Sequence, residues 1–386
     1  MPIIRDTTQL DALLADIRTF VRERWHPLEA QVEREDAVPE AVVDELRRKR
    51  YFGWSIPAEY GGLGLTTEEL VLCAMELSQA SVALRARVGT NTGIGSEALV
   101  ADGTEEQKRR YLPRMASGEL TGCLALTEPE AGSEASNVQT TARRVGDHYV
   151  LDGTKCYITN APVADLFTVV ARTEEGTRGS NGLSAFLVER GFGVRTGAPY
   201  RKMGQEGSPV SDVHFEQVRV PATNLIGARE GVGFQTVMKV LNKQRLHLAA
   251  LCTGPAIRML ELAIVHTQQR KQFGQPVGNF QLLQAMVADS QVEIFAARSM
   301  ILEAARARDR GEDVALSASM CKYFASEMCG RVADRCVQMF GGSGYVADFS
   351  PIERYYRDVR LFRLYEGTSQ IHQLNIAKLV LRGKGT

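Results

Sequence analysis

HYVLDGTKCYITN, residues 148–160, decides the fold. Aromatic and β-branched side chains alternate with polar ones on either side of Asp152-Gly153, a turn-forming pair. The stretch therefore predicts extended chain, with Tyr157 and Thr159 on one face. A second run of the same kind, DLFTVVART, follows at 165–173. Working outward, this texture holds from about residue 121 to 232 and predicts an antiparallel β domain. Upstream, from residue 6 to about 120, apolar residues recur at three- and four-residue spacing, as in Leu10, Leu13, Leu14, Ile17 and Val21, behind Asp and Thr residues suited to helix starts. Downstream of Phe234 long helical patterns return, LQAMVADSQVEIFAARSMILEAARARDRG at 283–311 and SASMCKYFASEMCGRVADRCVQMF at 317–340, each with Arg/Glu opposite Leu/Met/Ala. Helices, then sheet, then helices argues against a wound α/β fold. The expected domains are 1–120, 121–232 and 233–386. Pro255, inside an otherwise helical pattern, predicts a boundary or kink near Thr253-Gly254.

Composition narrows the function. The 386 residues exceed the usual size of a single core. Lys plus Arg number 46 and Asp plus Glu number 46, so no long-range field favours nucleic acid or an anionic membrane. The seven cysteines are scattered without a C-x-x-C pair, which fits free thiols in a reducing compartment. The six histidines show no H-E-x-x-H or Cys/His ligand spacing, so no metal site is expected. The first residues, MPIIRDTTQLDALLADIRTFVRERW, carry charges every few positions and read as neither signal peptide nor membrane span. These features together predict a soluble cytoplasmic protein.

Five short stretches invite a chemical reading, each beside a plainer one. LTEPEAGSEASN at 126–137 is rich in turn formers, and its small hydroxyls and backbone amides also suit a flat ligand. KCYITNA at 155–161 reads as a half-buried strand. In RKQFGQPVGNFQ at 270–281 a helix stops at Gly274 and Pro276; Arg270 can fork onto a phosphate and Phe273 can stack, although a basic helix end also suits its own dipole. QMFGGSGYVAD at 338–348 nearly matches the dinucleotide fingerprint, but a helical pattern precedes it where a strand is needed, so a helix-ending turn is the plainer reading. In YEGTSQIHQ at 365–373, Glu366 stands between an aromatic and Gly-Thr, where an ordinary acid would open the following helix.

In this order and at these spacings, the five stretches resemble the acyl-CoA dehydrogenase family. Its members carry a TEPxAGSD loop, a K-x-W-I-T-N strand, an R-x-x-F-G segment, a Q-x-x-G-G turn and a terminal YEGT. The resemblance extends to GGLGLTTEE at 61–69 and DGTEEQKRRYLPRMASGE at 102–119, so it covers nearly the whole chain. It implies a mainly α fold with a middle β domain: an N-terminal helical domain, an antiparallel β domain and a C-terminal four-helix bundle. It also implies a homotetramer built as a dimer of dimers, with FAD in a cleft shared by two subunits.

Carried onto this chain, the resemblance assigns Leu126, Thr127, Gly132 and Ser133 to the flavin and thioester, and Tyr157 and Thr159 to the flavin's other side. Arg270, Gln272, Phe273, Gln281, Gln338, Gly341 and Gly342 would hold the pyrophosphate and adenosine, with Thr368 and Gln370 completing the cofactor site. Glu366 would be the catalytic base, removing a proton beside the thioester carbonyl while hydride leaves the next carbon. Gly367 would let the chain approach the ligand, and Ser133, Asn242 and Arg245 would lie near the substrate. Residues 85–96 match the region that shapes the inner end of the acyl pocket in relatives. Some members place the base at the position of Gln244, and an amide cannot serve as one. The departures are Tyr157 for Trp, Glu134 for Asp, Asn242 where Asp is common, and His372 where Gln is common. The implied reaction is FAD-dependent dehydrogenation of a short- to medium-chain or branched acyl-CoA to the trans-2-enoyl thioester, with electrons passed to an electron-transfer flavoprotein. The alternatives are an acyl-carrier-protein-linked dehydrogenase, a related flavin oxidase, and a non-enzymatic scaffold.

Overall fold

The computed structural model describes residues 4–383. The outermost residues of the two expected terminal domains, 1–3 and 384–386, lie outside it. The first region holds α1 (Thr7–Thr19), α2 (Glu29–Glu35), α3 (Glu40–Arg48), α4 (Thr67–Leu77), α5 (Val82–Gly89), α6 (Glu97–Asp102) and α7 (Glu105–Ala116). Their starts follow from local chemistry. Asp6 accepts from the Gln9 N–H to open α1. Thr66 with Glu69 and Thr104 with Gln107 form reciprocal capping boxes at α4 and α7. The apolar stripe of α1, Leu10, Leu14 and Ile17, is buried against Trp25, Tyr51 and Trp54.

The middle region is one seven-stranded sheet of β1 (Gly122–Ala125), β2 (Thr141–Val145), β3 (His148–Thr159), β4 (Leu166–Arg172), β5 (Leu183–Glu189), β6 (Arg195–Thr196) and β7 (Val210–Pro221). Pairing is antiparallel through β2–β3–β7–β6 and β4–β5. β1 instead enters parallel to β4, and one residue of β2 does the same at Thr141–Arg172. The β3–β7 ladder slips between Lys155 and Ile158. Within that slip Tyr157 takes φ 58° and turns outward, 69% exposed, while Lys155 points fully inward.

The last region holds α8 (Gly233–Gln269), the hairpin β8 (Lys271–Gln272) and β9 (Gln275–Pro276), α9 (Gln281–Asp309), α10 (Ala315–Phe340), α11 (Gly342–Tyr345), α12 (Ile352–Val359) and α13 (Ser369–Leu381). Helices α8, α9 and α10 share a core around Ala256, Met259, Ile301, Met328 and Val332. By length and composition α8 could span a bilayer, but 67% of its most apolar window is buried inside the protein, as in a core helix.

Of the boundary or kink expected at Thr253-Gly254, the boundary is not found: α8 continues through Pro255 as one 37-residue helix. Tertiary contact overrides the proline. Gly254 lies so close to α4 that a Cβ there would sit 2.1 Å from the Ser78 Oγ and 2.7 Å from the Met75 carbonyl oxygen. Gly254→Ala is therefore expected to destabilise the protein by about 1–3 kcal/mol through overpacking. Gly191→Ala, where an added Cβ meets nothing within 4 Å, should leave thermal unfolding unchanged. Equal Tm values for the two variants would contradict the close crossing.

Candidate active site

The segment between α12 and α13 carries two successive left-handed residues, Glu366 at φ 52° and Gly367 at φ 92°. Such a φ is costly for a non-glycine residue and persists only where neighbours enforce it. Three contacts do so. Lys322 on α10, fully buried, donates from Nζ to the Gly367 carbonyl at 2.6 Å. Thr368 opens α13 by accepting from the Ile371 N–H at 3.2 Å. The buried His372 ring approaches the Glu366 carbonyl at 3.2 Å through Nε2. Burial pushes the His372 pKa down to about 4, so the ring is neutral near pH 7, and a carbonyl partner requires the Nε2–H tautomer. A Cβ at position 367 would lie 3.0 Å from that nitrogen, so glycine is needed for space as well as for φ.

The Glu366 residue keeps some exposed surface, but its Oε2 is buried and has no hydrogen-bond partner among the described residues. Burial raises its pKa above the ordinary 4.5, opposed by the charges of Arg85, Lys322 and Arg245. Arg245 on α8 is itself buried and donates from Nη1 to Asn242 Oδ1 at 2.7 Å. The structure thus brings Glu366, Gly367 and Arg245 together, with Asn242 behind Arg245. Gln244 is buried on the same helix and packs on Gly93, where a Cβ would sit 2.5 Å from its Oε1.

On the sheet side, the 126–137 loop is tied to β3. Lys155 Nζ, with no exposed surface, donates to Glu128 Oε1 at 2.7 Å, to the Leu126 carbonyl at 3.1 Å and to the Val170 carbonyl at 2.6 Å. Glu128 also accepts from the Gln139 and Thr140 amides. Burial opposes ionisation of the pair, pushing Lys155 down to about 8, whereas Lys155 and the donated hydrogen bonds hold Glu128 below the usual carboxylate range. Both partners therefore stay charged at neutral pH. Thr127 offers its carbonyl to the Cys156 N–H at 2.9 Å. The Leu126 side chain is buried among Leu124, Val138, Val170 and Val237, so only its backbone is available to a ligand. Gly132 and Ser133 are exposed at the loop tip, and the Tyr157 ring packs 5.4 Å from that of Tyr200.

The remaining predicted residues lie on open surface. Arg270 caps the end of α8, Gln272 and Phe273 form the β8–β9 hairpin, Gln281 starts α9, Gln338 ends α10, and Gln370 sits in the first turn of α13; all are exposed, Phe273 by 91%. Gly341 ends α10 at φ 61°, and added Cβ atoms at 341 and 342 would meet nothing within 4 Å. These features fit FAD. Among the described residues the guanidinium of Arg270 forms no ion pair and the hydroxyls of Thr127 and Thr159 form no hydrogen bond, and the two glycines leave open backbone for a phosphate. No group of three or more His, Cys, Asp or Glu residues suited to a metal occurs among the described residues.

Three participants escaped the sequence reading. Lys322 hides in an apolar helical stripe, the Glu128–Lys155 pair spans two motifs read separately, and Arg85 lies in a short Arg/Ala-rich helix. A lysine or glutamate where the pattern demands an apolar residue is the signal that could have found the first two.

Comparison with known proteins accounts for almost every residue. The chain matches the acyl-CoA dehydrogenase N-terminal domain over 7–119, the middle domain over 123–218 and the C-terminal domain over 231–381. It is 38% identical to the 3-(aryl)acrylate reductase of Clostridium sporogenes, over 97% of this chain and 99% of that one. It is 36% identical to the caffeyl-CoA reductase-Etf complex subunit CarC of Acetobacterium woodii, over 91% and 92%. The structure of butyryl-CoA dehydrogenase from Megasphaera elsdenii superimposes with a TM-score of 0.94 at 31% identity, covering 99% of this chain and 100% of that one.

Lys155→Met should cost about 3–5 kcal/mol, because it strands the Glu128 carboxylate in the interior. Urea unfolding measures this, and a loss below about 1 kcal/mol would show that the pair does not organise the loop.

Proposed function

This chain belongs to the acyl-CoA dehydrogenase family, FAD-dependent oxidoreductases acting on CH–CH bonds, and on that premise we propose that it dehydrogenates a short- to medium-chain or branched acyl thioester to the trans-2-enoyl thioester. The observation that carries the reading is the Glu366 carboxyl: its Oε2 is buried and unbonded among the described residues, on a backbone that its neighbours hold in a strained conformation. A carboxylate in water is too weak a base to take a proton from the carbon next to a thioester. Burial raises its basicity toward working pH, and a positioned base of matched pKa contributes about a hundred- to ten-thousandfold in rate. FAD, when bound, supplies the acceptor for the hydride that leaves the adjacent carbon. The Glu366 N–H, which has no partner among the described residues, suits the thioester oxygen as charge develops there. Arg270, Gln272, Phe273, Gln281, Gln338, Gly341, Gly342, Thr368 and Gln370 would hold the adenosine and pyrophosphate. Leu126 through its backbone, with Thr127, Gly132, Ser133, Tyr157 and Thr159, would flank the flavin.

The reading extends to partners and place. Likeness to an Etf-complex subunit supports an electron-transfer flavoprotein as electron acceptor. A homotetramer is supported by the exposure of Phe273 and its neighbours, which a second subunit would cover. The seven free cysteines, all buried, suit a reducing cytoplasm.

Two relatives, the 3-(aryl)acrylate reductase and the caffeyl-CoA reductase subunit, are both reductases and favour a second reading in which the site runs in reverse. Glu366 would then give its proton to a conjugated enoyl thioester, and the burial that keeps it protonated to higher pH serves that direction equally.

Glu366→Gln should retain FAD and thioester binding but slow flavin bleaching by about a hundred- to ten-thousandfold; an unchanged rate would remove Glu366 as the base. In the wild type only ionised Glu366 can accept the proton. The rate of flavin reduction should therefore fall as pH drops through its raised pKa, with the acid limb centred above the ordinary 4.5. A limb at or below that value would contradict the account. Arg270→Ala should weaken FAD retention about 10- to 100-fold by losing a charge-assisted phosphate contact. Flavin occupancy after dilution and gel filtration reads this, and full occupancy would exclude the contact.

A further inference from the structure

We propose that Tyr200 is a positioning residue of the cofactor site: it braces the Tyr157 ring and so fixes that ring as a wall for FAD. The inference rests on the assignment of Tyr157 to the flavin in the reading above, and adds Tyr200 to it.

Strand pairing explains why Tyr157 needs a brace. Lys155 pairs with Val213 and Ile158 with Ser211, so two residues of β3, Cys156 and Tyr157, oppose one of β7, Asp212. Such a bulge takes backbone groups out of the ladder and re-aims a side chain. The Cys156 N–H finds the Thr127 carbonyl at 2.9 Å. Tyr157, at φ 58°, stands outward with 69% of its surface exposed. A left-handed tyrosine is costly and persists only where its surroundings enforce it.

Tyr200 supplies that enforcement. After β6 the chain continues along the side of β7 away from β3, the Gly197 N–H donating to the Asp212 carbonyl at 3.0 Å and the Tyr200 N–H to the Val210 carbonyl at 2.8 Å. From there the Tyr200 side chain reaches across β7 to the bulge. Its hydroxyl donates to Asp212 Oδ1, the Tyr157 N–H points to the same hydroxyl oxygen, and the two rings pack 5.4 Å apart at 48°. Burial, and then the Asp212 carboxylate, pushes the Tyr200 pKa up to about 12, so the hydroxyl keeps the proton it donates. One side chain thus meets the stray amide of the bulge and supports the ring that the bulge turns out.

The braced ring suits a flat aromatic ligand. Part of Tyr157 is covered by Tyr200 and the rest is open, on a backbone that the bulge and Tyr200 hold in place. A ring fixed in advance gives up little freedom when a ligand stacks on it, so the brace adds to affinity without touching the ligand. Tyr157 also stands where the family's strand carries tryptophan, and the second ring makes up aromatic bulk that the smaller side chain lacks. Tyr200 lies more than forty residues from Tyr157 in sequence, and only pairing with β7 brings the two together.

The test reads bound FAD instead of turnover. In reconstituted holoprotein, Tyr157→Leu should raise the FAD Kd and brighten flavin emission, because a tyrosine stacked on the isoalloxazine quenches it by donating an electron. No change in either would overturn the flavin assignment of Tyr157 and the inference with it. Tyr200→Leu should weaken FAD binding about 2- to 10-fold and brighten its emission in the same way. Tyr200→Phe, which keeps the ring and loses the hydroxyl, should fall between Tyr200→Leu and the wild type. With Tyr157→Leu already present, Tyr200→Leu should add nothing to the Kd, as expected of a residue that acts through another. Tm and near-ultraviolet circular dichroism of each apoprotein confirm folding. A Tyr200 that serves stability alone would lower Tm and leave Kd and emission at wild-type values in both of its variants. That result, or effects of Tyr157→Leu and Tyr200→Leu that simply add, would overturn the inference and leave Tyr157 at the flavin.

Discussion

The Lys322 ammonium, enclosed on α10, donates to the Gly367 carbonyl at 2.6 Å, and the position of Glu366 follows from that contact. It fixes a segment whose two left-handed residues would otherwise relax. His372 adds a second tie to the neighbouring carbonyl. Because Lys322 spends its hydrogen bond on backbone, it steadies the site and contributes positive potential without pairing directly with the carboxylate. An ion pair there would stabilise the charged form and defeat the purpose of burial.

The same economy of charge organises both halves of the site. On the helical side, burial raises the pKa of Glu366 while three cations restrain the rise, which suits a base that must gain and lose a proton in each cycle. On the sheet side, burial acts on Lys155 and Glu128 as well, but there they sit in direct contact at 2.7 Å and each has further hydrogen bonds. That pair stays ionised and serves structure, holding the 126–137 loop against β3. Whether a buried acid is paired or left alone separates scaffold from chemistry in this protein.

Much of this was legible in the chain. Alternation in 148–160 and 165–173 marked the sheet between helical regions, because a half-buried strand writes its period into the sequence. Glu366 stood out only through the company of four other motifs. What stayed hidden were effects of packing between distant segments. Pro255 looked like a break because its missing N–H is local information, whereas the contact of Gly254 with α4 that carries the helix through is not. The slip in β3 that turns Tyr157 outward depends on β7, more than fifty residues away in sequence. Lys322 and Arg85 were invisible because a charge inside a helical pattern reads as solvated until its neighbours are known.

The proton affinity of Glu366 can be read without turnover. Infrared difference spectra of the carboxyl stretch, recorded across pH on the FAD-loaded wild type and on Glu366→Gln, isolate this one group. A protonated-carboxyl band absent from the variant should persist upward in pH beyond the ordinary 4.5 and vanish with a single midpoint above it. A midpoint at or below that value would mean that the surrounding cations, and not burial, govern the carboxylate, and would contradict its role as the base.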